Sequence, residues 1–122
     1  MNNLGLNKEL ERGQIVMVDF GESKGSIQGG LRPALIVSNN KANHFSPVII
    51  CVPLTSKINK KPLPTHALIE PCQTDNNLIR ASVALCEQII TITKDSVRTI
   101  TGKISKKDCE RIDECVRISL AL

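Results

Sequence analysis

Gly25-Ser26-Ile27-Gln28-Gly29-Gly30-Leu31-Arg32-Pro33-Ala34-Leu35-Ile36-Val37 runs from a polar, glycine-rich loop straight into an apolar segment. Residues 34–37 are too apolar for a surface loop and read as a buried β-strand. Pro33 disfavours the α region for Arg32 and biases it towards extended geometry. Gly29 and Gly30 have no Cβ, so the backbone there can take positive φ and let a bulky anion come close. Arg32 therefore stands where a rigid strand meets a loop, and its planar guanidinium fork suits a phosphate. Pairing with a surface carboxylate is the plainer role for an arginine, and this stretch alone leaves both readings open.

The surrounding chain bounds the answer. Its 122 residues suffice for one domain with a small core. Sixteen lysines and arginines against twelve aspartates and glutamates give a formal charge of +4, which suits a polyanionic partner without resembling a basic arm. No apolar run approaches the roughly 20 residues that span a bilayer, and no apolar h-region follows Met1-Asn2-Asn3, so a soluble, cytoplasmic protein with no membrane partner is expected. The five cysteines (Cys51, Cys72, Cys86, Cys109, Cys115) form no Cys-x-x-Cys pair, and their odd number argues against a disulfide framework or a zinc site. Cys51 and Cys86 lie in apolar runs and read as core residues. With no clustered histidines or aspartates, neither a metal nor another cofactor is expected.

Outward from the opening stretch, hydrophobic patterning predicts a strand over residues 14–20 and a second over about 33–38. A polar turn follows at 39–46, then a strongly apolar strand over 47–54. Pro53 cannot donate to a ladder, so that strand is expected to end or lie at an edge there. A lysine-bearing loop (Lys57, Lys60, Lys61) leads to a fourth strand at 65–70. Residues 71–78 read as an irregular connection, 82–92 as two short strands bent near Glu87-Gln88, and 96–100 as a short strand or turn. Ser105 is a predicted N-cap with Asp108 in a capping-box position. Cys109, Ile112 and Val116 recur at helical spacing, which predicts a helix over 106–120. Residues 1–11 are polar and aperiodic apart from Leu4, Leu6 and Leu10, and read as a loosely ordered lead-in. Five to seven short strands and one terminal helix predict a mainly β chain folded as a small, strongly bent sheet or partial barrel.

Several collinear pieces carry a resemblance to a known family. They are Gly13-Gln14-Ile15-Val16-Met17-Val18-Asp19-Phe20, the stretch from Gly25 to Pro33, Asn43-His44-Phe45-Ser46-Pro47, and Leu54-Thr55-Ser56. Leu63-Pro64-Thr65-His66, Leu85-Cys86-Glu87-Gln88-Ile89 and Ile118-Ser119-Leu120-Ala121-Leu122 complete the series. Together they resemble the MazF/PemK toxins of toxin–antitoxin systems. The resemblance implies a small SH3-like barrel with a C-terminal helix (the MazF/CcdB-type fold), occupying residues 12–122 as one toxin domain. It also implies a homodimer that cuts single-stranded RNA at short sequences without metal or other cofactor. Cleavage would follow attack of the ribose 2′-hydroxyl on the adjacent phosphate. An antitoxin with an acidic, disordered tail is the implied regulatory partner.

Carried over by motif, Arg32 and Thr55 take the positions of the catalytic pair. Ser26, Gln28, Gly29, Gly30, Ser56, Ser82 and Gln88 are the expected RNA contacts. Without the resemblance, Thr55 would read as a residue capping a turn at a strand end. One departure stands out: the family loop usually reads Gly-Ser-Glu-Gln, and here the glutamate position is Ile27, which cannot take a proton. Either Arg32 and Thr55 suffice, or a carboxylate such as Glu22 or Glu87 serves, or activity is reduced. His44 and His66 read as structural or surface residues, and His44-Phe45 as a possible RNA contact. Two phenylalanines with no tryptophan or tyrosine leave little aromatic surface for base stacking. A gyrase-directed toxin of the CcdB type and a non-catalytic RNA-binding barrel stay open as rivals.

Overall fold

The computed structural model describes residues 9–22, 25–26, 29–58, 61, 63–72 and 75–122. Among the described residues seven strands and two helices follow in order: β1 (Gln14–Asp19), β2 (Leu31–Ile36), α1 (Asn40–Phe45), β3 (Val48–Thr55), β4 (His66–Ile69), β5 (Ser82–Leu85), β6 (Ile90–Thr93), β7 (Val97–Lys103) and α2 (Lys106–Leu120). A 3₁₀ turn (Lys94–Ser96) leads into β7. The strands form one antiparallel sheet in the order β4-β5-β3-β2-β1-β7, with β6 also paired to β3. Among the described residues no ladder joins β4 to β7, so the sheet is not closed into a barrel there. The mainly β class with a C-terminal helix is as the sequence predicts.

Side-chain alternation gives this sheet two cores. Ile15, Leu35, Val52 and Leu54 point to one face, where they meet Ala67, Ile69, Ala84 and the α2 residues Ile112 and Cys115. Val16, Val18, Ala34, Ile36, Ile49 and Cys51 point to the other, covered by Leu10, Phe20, Ile90, Ile92 and Ile100. Leu10, read from sequence as part of the lead-in, is fully buried in this second core.

Three expectations need correcting. β3 does not end at Pro53, which is buried and lies opposite Ala34 of β2. On its other edge β3 pairs with β6 through Val48–Cys51 and with β5 through Leu54–Thr55. Pro53 falls in the gap between these two partners, where no ladder position on that edge is lost. Residues 40–45 form a short helix rather than a turn. Asn39 Oδ1 accepts from Ala42 N at 2.9 Å, capping it, and the buried Asn43 side chain donates to Ser38 O at 2.8 Å and accepts from Ser38 Oγ. Six residues are too few to display a helical period. The last strand runs to Lys103, longer than read, because it pairs with β1 along its length through two register shifts.

α2 starts as expected, with Asp108 N donating to Ser105 Oγ at 3.1 Å. Its Arg111 Nη1 donates to Leu68 O at 2.7 Å, which covers part of the free edge of β4.

Gly102 is fixed by space rather than by φ. A Cβ there would overlap the Asp75 carbonyl and the Asn76 backbone, where Lys103 N also donates to Asp75 O at 2.9 Å. Gly102→Ala should therefore lower unfolding free energy by about 1–3 kcal/mol, read from urea denaturation. A midpoint equal to wild type would show that the 75–76 segment can move away at no cost.

Candidate active site

The loop before β2 is the far end of a β-hairpin. Its base is closed by Phe20 N donating to Gly30 O at 3.0 Å, and Gly30 takes φ +80°, a value open to glycine at no steric cost. Arg32 leaves this hairpin half-buried, with Nε donating to Gly29 O at 2.9 Å. That bond uses one edge of the guanidinium and fixes its direction. The β2–β3 ladder ends with Ala34 opposite Pro53, and Arg32 and Thr55 each lie two residues beyond that pair on their own strands. Continuing the β3–β5 register by one sets Ser56 across from Ser82.

These positions border one cleft of about 300 Å³, lined by Arg32, Pro33, Thr55, Ser56, Lys57 and Ser82. Thr55 Oγ1 accepts from Lys57 N at 3.1 Å, the turn-capping role expected of it on sequence grounds alone. Accepting leaves the hydroxyl proton available to a ligand. Among the described residues the lining contains two cationic side chains, three hydroxyls and no carboxylate or imidazole. Such a lining suits an oxyanion and offers nothing for a cation.

A model of PemK-like, MazF-like toxins of type II toxin–antitoxin systems matches residues 11–120. The chain belongs to the PemK/MazF toxin family. It is 35% identical over 113 residues to the endoribonuclease MazF of Staphylococcus saprophyticus, covering 93% of this chain and 92% of that one. Among solved structures, an endoribonuclease in complex with its cognate antitoxin, from a mycobacterial species, is 25% identical with a TM-score of 0.75. The match covers 93% of this chain and 96% of that one. MazF of Deinococcus radiodurans, at 21% identity, shares the fold with a TM-score of 0.78 over 95% of this chain and all of the other.

The remaining expected RNA contacts of this PemK/MazF chain divide into two groups. Ser56 and Ser82 line the cleft, whereas Ser26 and Gln88 are not in its lining and meet each other: Gln88 Nε2 donates to Ser26 O at 3.0 Å. That bond ties the β1–β2 loop to the turn between β5 and β6. Gly29 is buried and holds Arg32, and Gly30 is exposed at the loop base. Gln28, Ile27 and Lys60 lie outside the described residues. His44 and the exposed Phe45 stack edge-on at the end of α1 with centroids 6.3 Å apart, and neither lines the cleft.

Sequence reasoning missed a second cleft of about 400 Å³ that shares Pro33, Ser56 and Ser82 with the first and extends to Met17, Ile79 and Arg80. Ile79 and Arg80 fall between the irregular connection expected over 71–78 and the strands expected over 82–92, and an isoleucine next to an arginine is all the signal they offer.

Glu87, named as a possible substitute base, is otherwise engaged. Its carboxylate accepts from Thr65 Oγ1 at 3.0 Å and meets His66 Nε2 at 3.0 Å. Partial burial works to raise its pKa, but hydrogen bonds from His66, from its own backbone N–H and from Thr65 outweigh that and hold it below the usual value. A lowered carboxyl adds stability above its unfolded pKa and loses it as pH falls through the folded one. Wild type should therefore be modestly more stable than Glu87→Gln at neutral pH. The gap should close as pH drops below about 4, measured by urea midpoints across that range. A gap unchanged at acid pH would mean that the carboxylate is not the stabilising form.

Proposed function

We propose that this chain is an endoribonuclease toxin that cuts single-stranded RNA at short sequences, with Arg32 and Thr55 as its catalytic pair. The observation that carries the reading is the cleft they border: a guanidinium and a hydroxyl from adjacent strands, on an oxyanion-favouring wall with no carboxylate among the described residues. Membership of the PemK/MazF family, and the name of the Staphylococcus relative, support the ribonuclease reading over the gyrase-directed and non-catalytic ones.

The chemistry follows from the groups present. Attack of the ribose 2′-hydroxyl on the adjacent phosphorus concentrates negative charge on the non-bridging oxygens, and fixed donors aimed there supply the largest catalytic contribution. Arg32 offers a cationic donor already oriented by Gly29 O, and Thr55 a hydroxyl proton beside it. Arg32 does not serve as base: with a pKa above 12, deprotonating it at pH 7 would cost upwards of about 7 kcal/mol. With Ile27 at the usual glutamate position and Glu87 paired to His66, the 2′-hydroxyl proton passes to solvent rather than to a carboxylate. As the 2′-oxygen bonds to phosphorus the bond from phosphorus to the 5′-oxygen breaks, the leaving 5′-oxygen takes a proton from Arg32 or solvent to become a hydroxyl, and the other product ends in a cyclic phosphate. Neither metal nor cofactor enters these steps.

Ser56 and Ser82 contact RNA directly in this scheme, with Ser26, Gln28, Gly29, Gly30 and Gln88 as the further expected RNA contacts. The protein acts in the cytoplasm as a homodimer, for which the exposed Ile118, Leu120 and Leu122 at the end of α2 offer apolar surface. No helix among the described residues is long and apolar enough to cross a membrane. An antitoxin with an acidic, initially disordered tail is the inhibitory partner, drawn to the basic groove and folding onto it. The mycobacterial structural neighbour is itself in complex with its cognate antitoxin.

The test is to incubate the protein with a long unstructured RNA in EDTA and sequence the ends. Fragments cut at a defined sequence, with cyclic phosphate and 5′-hydroxyl termini, are expected, and intact RNA overturns the reading. Arg32→Ala should lower kcat by about 10²–10³, and Arg32→Lys should recover little because the fork is lost. The pH–rate profile should show no inflection at about pH 4–5, where ordinary carboxylates titrate. A clear inflection there would restore a carboxylate base.

A further inference from the structure

We propose that the second cleft holds one unpaired nucleotide of the substrate, next to the scissile phosphate, and that Arg80 is the residue that grips it. The inference rests on the ribonuclease reading above and gives it a specificity determinant.

Continuity comes first. The second cleft shares Pro33, Ser56 and Ser82 with the one that holds Arg32 and Thr55, so an RNA strand leaving the scissile phosphate on that side runs into it. Its walls are of two kinds. Met17, Pro33 and Ile79 offer apolar surface of the size of a base, and Arg80 offers a cation at the same opening. Ile79 is 93% exposed, an unusual place for a β-branched apolar side chain that nothing covers.

Arg80 differs in state from four of the other five arginines; Arg117, on α2 and lining neither cleft, is the other without a side-chain partner among the described residues. Arg12, Arg98 and Arg111 are paired to Asp113, Asp19 and Asp108, and Arg32 is bonded to Gly29 O. Arg80 has no ion-pair or hydrogen-bond partner for its side chain among the described residues, although Ser82 Oγ donates to its carbonyl at 3.2 Å. An arginine plane can stack on a base or fork onto a phosphate. With no aromatic residue in either cleft, Arg80 is the described group best able to take a base face.

The segment is also held still. Asn76, 3% exposed, accepts from Cys72 N at 2.9 Å and Leu78 N at 3.0 Å, and donates to Glu70 O at 2.9 Å. Three hydrogen bonds of that amide work to fix the turn that presents Ile79 and Arg80. A preorganised wall of this kind discriminates between bases at lower entropic cost than a floppy loop.

The test compares wild type with Arg80→Ala and Ile79→Ser in cleavage of a mixed-sequence RNA, reading KM, kcat and the base frequencies flanking the cut. Arg80→Ala should raise KM about tenfold with kcat within about twofold, and base preference at one position beside the cut should relax. Ile79→Ser should relax the same position more weakly, and since its side chain is solvent-exposed it gives a second readout independent of any effect of Arg80 on folding. Arg80→Lys, which keeps the charge and loses the plane, should recover affinity only in part. Wild-type KM and an unchanged flanking preference in both variants would overturn the inference while leaving the ribonuclease intact. RNA left uncut by wild type would overturn the ribonuclease reading and this inference with it.

Discussion

β3 is hydrogen-bonded along both edges, and everything at the site hangs on how those edges are shared. One edge belongs to β2, and the other passes from β6 to β5 partway along the strand. A strand in the middle of a sheet normally excludes proline, because each lost N–H is a lost ladder bond. Pro53 is accommodated because it sits where the second edge changes hands. The strand therefore continues to Thr55 with β2 on one side and β5 on the other, which gathers Arg32, Thr55, Ser56 and Ser82 around one cleft. Had β3 stopped at Pro53, the hydroxyl and the guanidinium would belong to unconnected loops.

Rigidity is distributed unevenly around that cleft, and the distribution makes chemical sense. Arg32 is steered by a backbone carbonyl, Thr55 by a backbone N–H, and Ser82 by the Arg80 carbonyl. The loop carrying Ser26 is joined to the sheet through Gln88. Backbone partners cost little entropy because the sheet has already ordered them. The polar groups lining the cleft are thus aimed in advance, the condition under which electrostatic stabilisation of a bound charge is most effective. Cys51 and Cys86 belong to the opposite regime: burial pushes both thiols up to about 12, so they stay protonated and serve as packing.

The strands and the terminal helix were legible because their signals are local: alternation in 14–19, the apolar run of β3, and Ser105 with the spacing of Cys109, Ile112 and Val116. What failed to show in the sequence depends on tertiary partners. α1 is held by a buried asparagine reaching Ser38, and β7 is extended by pairing with a strand some eighty residues earlier. Arg32 drew notice because a glycine pair and a proline flank it, and Thr55 owed its prominence to family resemblance, since a threonine ending a strand has a commonplace use that it also fulfils here. Ile79 and Arg80 went unremarked. Their relation to the cleft comes from the pairing of β3 with β5 and from Asn76, neither of which leaves a periodic trace.

The two cores on opposite faces of one sheet limit how this chain can change over time. Along β1, β2 and β3, odd and even positions serve different interiors, so adding or deleting one residue within a strand would exchange both apolar sets at once. Length variation is thereby driven out of the strands and into the connections between them. The connections after β3 and before β5 carry Ser56, Lys57, Ile79 and Arg80, whereas Arg32, Thr55 and Ser82 stay on the strands. A lineage can re-tune what the groove accepts by editing loops while the scaffold beneath stays locked.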